Sequence, residues 1–334
     1  MYQNKEKIAV IGGGSWATAI VKILYDNQLN VYWWVREPEI VESLKEYGHN
    51  ALYLSSVEFN PRKIHISTRL KAIIAAADTV VLVTPSVYLH KTLSTLDKKD
   101  LKGKNIVSAI KGIVPETMQT VSAYMSDTFS IKDDYLCVVS GPSHAEEIAD
   151  EKLTYLTAGS ANPYLAENVQ KMFACNYVKI SQSPDIEGLE YAVVLKNIYA
   201  LAGGIFRGAD FGDNLLASLN ANCVGEMCNF VNTIAPLEKR NFCTSPYAGD
   251  FLVTSYSQYS RNRTFGMMIG RGYSVNAVQL EMKMVAEGYY AAKCIHQINA
   301  KHQIYIPIAE MVYRILYENA PLKAEMKKIL NLIK

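Results

Sequence analysis

The run Lys7-Ile8-Ala9-Val10-Ile11 passes without a break into Gly12-Gly13-Gly14-Ser15-Trp16-Ala17-Thr18-Ala19-Ile20. Few sequence features restrict a fold more. A short β-branched strand, followed at once by a glycine turn and a helix, opens an α/β unit with a parallel sheet. Gly12, Gly14 and Ala17 fill the pattern G-x-G-x-x-G/A. The first glycine lets the chain turn, the second lets a pyrophosphate approach the backbone, and the small third residue lets helix and strand pack closely. N–H groups left open at the helix start then hold phosphate oxygens. The expectation is a dinucleotide site on the first strand.

A second strand is expected over residues 30–35, a helix near 38–47 and a short strand over 63–66, with Asn50, Tyr53 and Leu54 in a polar loop between the last two. The second strand ends about 20 residues past the glycines, where an acidic residue usually reads the ribose 2′-hydroxyl. The chain offers Arg36 and then Glu37. Arg36 facing a 2′-phosphate favours NADPH over NADH; the other reading leaves Arg36 solvated and puts Glu37 on the ribose. Residues 79–84 form a near-continuous apolar run, the pattern of a strand covered on both faces, and they stop at Pro85-Ser86. Residues 105–110 end in Lys111-Gly112, and residues 135–139 end in Ser140-Gly141-Pro142-Ser143-His144-Ala145-Glu146-Glu147. Ligands of open α/β sheets lie beyond the carboxyl ends of the strands, so these tips should border one. His144 has no obvious catalytic partner and reads as a plain polar residue. Residues 154–159 and 177–180 look like closing strands.

From Gly188 onward the strand signal disappears and the chain reads helical. Residues 189–202 are apolar on almost every side, so as a helix they would be buried. Lys196 and Asn197 interrupt them. A lysine in an apolar core is costly unless paired and its pKa falls, which makes it a candidate acid or base; alternatively it snorkels its head to water. Gly203-Gly204 and Gly208 mark the expected end of this helix, and a further helix should cover residues 213–233. A polar, turn-rich stretch, 236–250, leads to Leu252-Val253-Thr254. Ser260-Arg261-Asn262-Arg263-Thr264 combines cations, an amide and hydroxyls suited to a phosphate, unless the arginines are merely solvated on a surface turn. Helices are expected to open at Lys283-Met284 and to span 307–319. No repeat, low-complexity tract, zinc spacing or Ser/His/Asp arrangement stands out.

Together these segments resemble the NAD(P)-dependent glycerol-3-phosphate dehydrogenases of bacteria. The likeness rests on Gly-x-Gly-Ser-Trp-x-Thr-Ala at 12–19, Lys-Gly-Ile at 111–113, Ser-Gly-Pro-Ser-His-Ala-Glu-Glu at 140–147, Leu-Lys-Asn at 195–197, Gly-Asp at 249–250, Ser-Arg-Asn at 260–262 and Glu-Gly at 287–288. It implies an α/β fold: a Rossmann-type, mostly parallel sheet with helices on both faces over residues 1–188, then an all-helical substrate-binding and catalytic domain over 189–334. It implies Lys196 as the proton-transfer residue, Lys111 as a second cation and Asp250 beside the reacting oxygen. Lys111, Gly141, Ser143 and Thr254 would line the substrate, and Ser260, Arg261 and Asn262 would hold its phosphate. Gly12, Gly14, Ser15, Trp16, Arg36, Tyr53, Lys111, Ala145, Arg261, Val285 and Glu287 match cofactor-contact positions. The sequence departs from the family at residues 217–222, where a family cation is missing near Asn220, and in the lead-in Ser245-Pro246-Tyr247-Ala248-Gly249 to Asp250.

The implied reaction is reversible reduction of dihydroxyacetone phosphate to glycerol 3-phosphate with NADPH or NADH and no metal, serving phospholipid synthesis. Two other readings stay open: a two-domain hydroxyacid or keto-acid reductase whose cations bind a carboxylate, and a non-catalytic dinucleotide sensor. A net charge of +2 without a long basic run argues against nucleic acid. Six cysteines without a Cys-x-x-Cys pair read as reduced, mostly buried thiols. With no signal-peptide pattern and no charge-free stretch of 18 apolar residues, the expectation is a cytoplasmic protein without a membrane segment, and the family resemblance implies a homodimer.

Overall fold

The structure, a computed structural model, describes residues 6–282 and 285–333. It divides into two compact units. The first holds residues up to 110 together with 121–186, and the second holds 111–120 together with 187 onward.

The first unit is built on one eight-stranded sheet. Its strands are β1 (Lys7–Ile11), β2 (Asn30–Trp34), β3 (Ile64–Ser67), β4 (Thr79–Leu82), β5 (Asn105–Ser108), β6 (Leu136–Ser140), β7 (Thr154–Gly159) and β8 (Val178–Ser183), in the order β3-β2-β1-β4-β5-β6-β7-β8. Every neighbouring pair is parallel except β6 with β7. The register sets Val10 of β1 against Trp33 on one side and Val81 on the other. From β1 the chain winds outward to β3, then returns and winds the other way from β4, so the winding reverses beside β1. That reversal is where open α/β sheets take ligands. The burial pattern follows the sequence pattern: β4 and β6 are buried at every position, whereas the edge strands β3 and β8 begin with an alternation of buried and exposed residues. Central strands are covered by helices on both faces and so read as continuous apolar runs.

In the second unit the described residues are helical in all their regular structure apart from an isolated antiparallel bridge between Val114 and Gln119. Its axis is the helix Ile186–Gly208, in which every residue from Gly188 to Ala202 is buried. By length and composition it could cross a membrane, but 94% of its most apolar window is buried inside the protein. Burying Tyr199, Phe206, Phe230 and Phe251 to the last per cent contributes about 1.5–3 kcal/mol per side chain.

Of the glycines expected to mark its end, Gly208 does so, whereas the helix runs through Gly203-Gly204. The glycines serve close approach instead. Gly204 and Gly208 face Gly266 and Gly270 of the helix Arg261–Gly270, and a Cβ at Gly204 would collide with the Arg263 carbonyl oxygen. A Cβ at Gly266 would likewise strike the Leu201 carbonyl oxygen. Residues 261–266 are therefore the start of a helix and not a surface turn. Within the turn-rich stretch, Ser245–Gly249 forms a π-helical turn that runs directly into the helix Asp250–Tyr256. Further helices are Asp213–Ile234, Val275–Glu281, Pro307–Tyr317 and Leu322–Leu330. The helix expected to open at Lys283-Met284 begins at Glu287 and runs to His302, and those two residues lie outside the described ones. Cys137, Cys223 and Cys294 are buried thiols, Cys175 and Cys228 half-buried, and Cys243 exposed.

Candidate functional site

In the first unit the glycine turn leaves the carboxyl end of β1. Gly12 sits at φ +146°, and a Cβ there would lie 2.9 Å from the Val83 carbonyl oxygen, so only glycine fits. The Trp33 indole donates to the Gly12 carbonyl at 2.6 Å and fixes the turn from behind. Gly14 precedes the helix Ser15–Asp26, whose N-terminus has no side-chain cap and no acidic residue in its first turn. A Cβ at Gly14 would meet nothing within 4 Å, which leaves open space over the helix N–H groups. Trp16 is pinned by its indole, which donates to the Ala109 carbonyl at 2.9 Å. This is a cradle for phosphate oxygens, and it fits a dinucleotide.

Around it, the loop carrying half-buried Tyr53 is tied down by Asn50. The fully buried Asn50 amide donates to the Gly13 carbonyl at 2.9 Å and to the Thr18 hydroxyl at 3.0 Å, while its oxygen accepts the N–H groups of Leu52 and Tyr53. Beyond β2, Arg36 is exposed, held by Glu37 through its Nε at 2.8 Å and lying 5.7 Å from the Tyr88 ring. The Glu37 carboxylate reaches to 3.4 Å from where a Cβ of Gly13 would stand, so both candidate readers of the ribose share that corner. At the tip of β6, Gly141 has φ +130°, and a Cβ there would lie 2.6 Å from the Tyr155 carbonyl oxygen; the Ser143 hydroxyl donates to the Gly141 carbonyl at 2.8 Å. Ala145 is buried at the start of the short helix that follows, with His144 as its N-cap residue.

In the second unit three charged side chains meet. Lys196 does not snorkel: its side chain is 4% exposed, and its Nζ lies 2.5 Å from Oδ1 of Asp250, itself 1% exposed. Lys111 Nζ lies 3.7 Å from the same oxygen and is 21% exposed. Burial pushes the Lys196 ammonium down; Asp250 pulls it back up and Lys111 pushes it down again, leaving its pKa at about 7. A buried amine poised near neutrality can both give and take a proton. Thr254, also buried, donates from its hydroxyl to the Asp250 carbonyl at 2.6 Å.

A chain of amides holds these segments in register. Asn197 donates to the Lys111 carbonyl at 2.8 Å and accepts from the Asn262 amide at 2.8 Å; the Asn262 oxygen in turn accepts the N–H of Gly288 at 2.9 Å. Three motifs of the sequence, Leu-Lys-Asn, Ser-Arg-Asn and Glu-Gly, are thereby joined through buried polar groups. The side chain of Asn262, expected on the substrate phosphate, is engaged by protein at both ends. Ser260 caps the helix Arg261–Gly270, accepting the Arg263 N–H at 3.3 Å, and the first turn carries two arginines and no acid. Such an end favours an anion. Glu287 opens the helix Glu287–His302 and Val285 stands two residues before it, both half-buried. Asn50, the relay role of Asn197 and the π-helical turn were not legible in the sequence as functional supports. Asn50 had one signal, a lone amide in a loop two and three residues before the N–H groups it accepts. Among the described residues no cluster of His, Cys, Asp or Glu is set to hold a metal ion.

A glycine cradle at the winding reversal of a parallel sheet, together with a neutral-range buried lysine beside a carboxylate, defines a dinucleotide-dependent oxidoreductase. Comparison with known proteins makes this particular. Residues 7–166 match the model for the NAD-dependent glycerol-3-phosphate dehydrogenase N-terminus, and residues 185–327 match that for the C-terminus. The chain is 33% identical over 326 residues to a glycerol-3-phosphate dehydrogenase [NAD(P)+] of Oceanobacillus iheyensis, covering 98% of this chain and 94% of that one. A protein of the same description from Geobacter metallireducens is 33% identical, with 97% of each chain covered. The crystal structure of glycerol-3-phosphate dehydrogenase from Coxiella burnetii superposes with a TM-score of 0.90 at 26% identity, covering 98% of this chain and 99% of that one. The chain belongs to the NAD-dependent glycerol-3-phosphate dehydrogenase family. A ketopantoate reductase from Ralstonia eutropha, at TM-score 0.59 and 16% identity, shares the fold alone.

Proposed function

We propose that the protein catalyses the reversible reduction of dihydroxyacetone phosphate to glycerol 3-phosphate with NADPH or NADH, and that Lys196 moves the proton. The observation that carries this reading is the contact of the buried Lys196 ammonium with Asp250, with Lys111 beside it. A bound nicotinamide supplies or accepts the hydride. The residues of the chain do the rest. Negative charge grows on the carbonyl oxygen during reduction, and the two ammonium groups of Lys196 and Lys111 are donors for it; one such positioned donor is worth about 2.7–4 kcal/mol. Lys196 gives its proton to that oxygen in reduction and removes it in oxidation. Burial lowers the pKa of the Lys196 amine, and Asp250 and Lys111 then act on it in opposite senses, leaving it near neutrality.

The N-terminus of the Arg261 helix, with Ser260 as its cap, would hold the substrate phosphate and orient the ketone. Arg261 supplies a charge-assisted bond there, and Asn262 contributes its backbone N–H while its side chain maintains the relay. Gly141, Ser143 and Thr254 would complete the pocket. Gly12, Gly14, Ser15 and Trp16 would cradle the pyrophosphate, with Tyr53, Ala145, Val285 and Glu287 as further cofactor contacts. Lys111 and Arg261 would face cofactor as well as substrate. Arg36 favours NADPH, and Glu37, which restrains Arg36, keeps NADH usable. By family habit the enzyme would act as a cytoplasmic homodimer feeding glycerophospholipid synthesis. The test is initial-rate measurement with NADPH and with NADH on dihydroxyacetone phosphate, dihydroxyacetone and a panel of 2-keto acids. Turnover confined to the phosphorylated ketone supports the reading; faster turnover of a keto acid, or cofactor binding without turnover of any ketone, would overturn it.

A further inference from the structure

Both oxygens of the Asp250 carboxylate are buried, and the Lys196 and Lys111 ammonium groups stand 2.5 Å and 3.7 Å from its Oδ1. Where the carboxylate stands relative to them also depends on the backbone that carries it.

That backbone is clamped on both sides by aromatic rings. Ahead of Asp250, the π-helical turn Ser245–Gly249 is closed by the N–H groups of Tyr247 and Gly249 on the Thr244 carbonyl and of Ala248 on the Phe242 carbonyl. The buried Tyr247 ring meets the Phe242 ring edge-on at 5.2 Å. Immediately after Asp250, the fully buried Phe251 ring meets Tyr199 edge-on at 6.0 Å. Tyr199 stands three residues after Lys196 on the same helix, so the Phe251–Tyr199 contact joins the segment bearing the carboxylate to the segment bearing the amine within one helical turn. Short π-helical segments of this kind concentrate where side chains are aimed for function.

We propose that Phe251 and Tyr199, with the turn anchored by Tyr247, are positioning residues that hold the Asp250 carboxylate against the Lys196 amine. The proposal rests on the acid–base reading given above for Lys196. The charged groups set against Lys196 are Asp250 from the Asp250–Tyr256 helix and Lys111 from the segment 111–120, so a retreat of Asp250 leaves Lys111 dominant and moves the titration of Lys196 toward acid.

The test uses Phe251→Leu, with Tyr199→Leu as a second route in the full-length protein; because the Tyr199 hydroxyl also lies against the buried Glu226 carboxylate, Tyr199→Phe, which keeps the ring, is measured beside it and should leave the Lys196 titration unmoved. The matched control is Phe206→Leu, which removes a buried ring paired with Phe211 at 5.5 Å further along the same helix. Three quantities are read: thermal unfolding, the pH profile of ketone reduction, and the titration of labelled lysine side chains by NMR. The expected result is an acid shift of about one pH unit in both the profile and the Lys196 titration for each clamp variant, and no shift for the control despite its lower stability. Clamp variants that lose stability but keep the original midpoint would overturn the proposal. So would failure of both to fold, since the rings would then be general core supports. The NMR titration is independent of catalysis, so a failure of the acid–base reading, seen as retained turnover in Lys196→Met, is distinguishable from a failure of the clamp.

Discussion

Exchanging Asp250 for asparagine removes the one negative charge that sustains the Lys196 ammonium, and the consequence can be worked through. Lys196 titrates at about 7, so at that pH about half the molecules carry the proton that reduction needs. An opposite charge within about 4–6 Å typically supports one to three pH units, and Asp250 stands at 2.5 Å. A fall of one to three units lowers the protonated share at pH 7 from about half to between about 9% and 0.1%, so reduction slows about 5- to 500-fold through protonation alone. The sign is specific. The donor is present below the midpoint and lost as pH rises through it, so the reductive limb moves to lower pH and activity is largely recovered in acid. Oxidation, which needs the neutral amine, gains at most about twofold at pH 7. Lys111→Met is the mirror perturbation, because Lys111 depresses the same amine. Its reductive limb should move to higher pH. The assay is the absorbance of the reduced nicotinamide at saturating substrate, in both directions across pH 5–10. Shifts of the two variants in the same direction, or no shift in either, would refute the electrostatic account of the site.

Three further outcomes are expected. Arg261→Ala should raise KM for dihydroxyacetone phosphate about 10- to 100-fold, the range of a lost charge-assisted hydrogen bond, with a smaller rise in KM for the nicotinamide cofactor; steady-state kinetics with each varied in turn check this. Arg36→Ala should lower the NADPH to NADH ratio of kcat/KM about 10-fold or more, and Glu37→Gln, which frees Arg36, should raise it. Gly266→Ala drives a methyl into the Leu201 carbonyl and should cost about 1–3 kcal/mol, read as a Tm several degrees lower in calorimetry.

How far the chain could be read in advance depended on whether local pattern or distant contact decided each feature. The run at 79–84 announced β4 because a strand covered on both faces must be apolar throughout. The glycine turn was legible because the positive φ at Gly12 is a local demand, although the Val83 carbonyl oxygen that also excludes a side chain there comes from a distant stretch of sequence. The burial of residues 189–202 was legible too, and so was the conflict posed by Lys196. Of the glycines read as ending that helix, Gly208 does and Gly203-Gly204 do not, for the opposite reason. Read locally, two glycines end a helix; in the fold Gly204 admits the Arg261 helix to backbone contact, and the partner that requires it lies some 60 residues away in sequence. The same separation concealed the helical start at Arg261 and the amide relay from Lys111 through Asn197 and Asn262 to Gly288, whose members span almost the whole second unit. The altered lead-in to Asp250 registered in the sequence only as a departure from the family. Its π-helical form, with Tyr247 packed on Phe242, could not be read from composition.

The central claim is that one buried amine transfers the proton. Its most direct test is the rate of dihydroxyacetone phosphate reduction by Lys196→Met, measured beside NADPH affinity by fluorescence quenching. Turnover should drop by two to four orders of magnitude, roughly the range of positioned acid–base catalysis, with NADPH affinity within about twofold of the unsubstituted protein. A variant that binds NADPH normally and reduces the ketone at more than about a tenth of the original rate would contradict it.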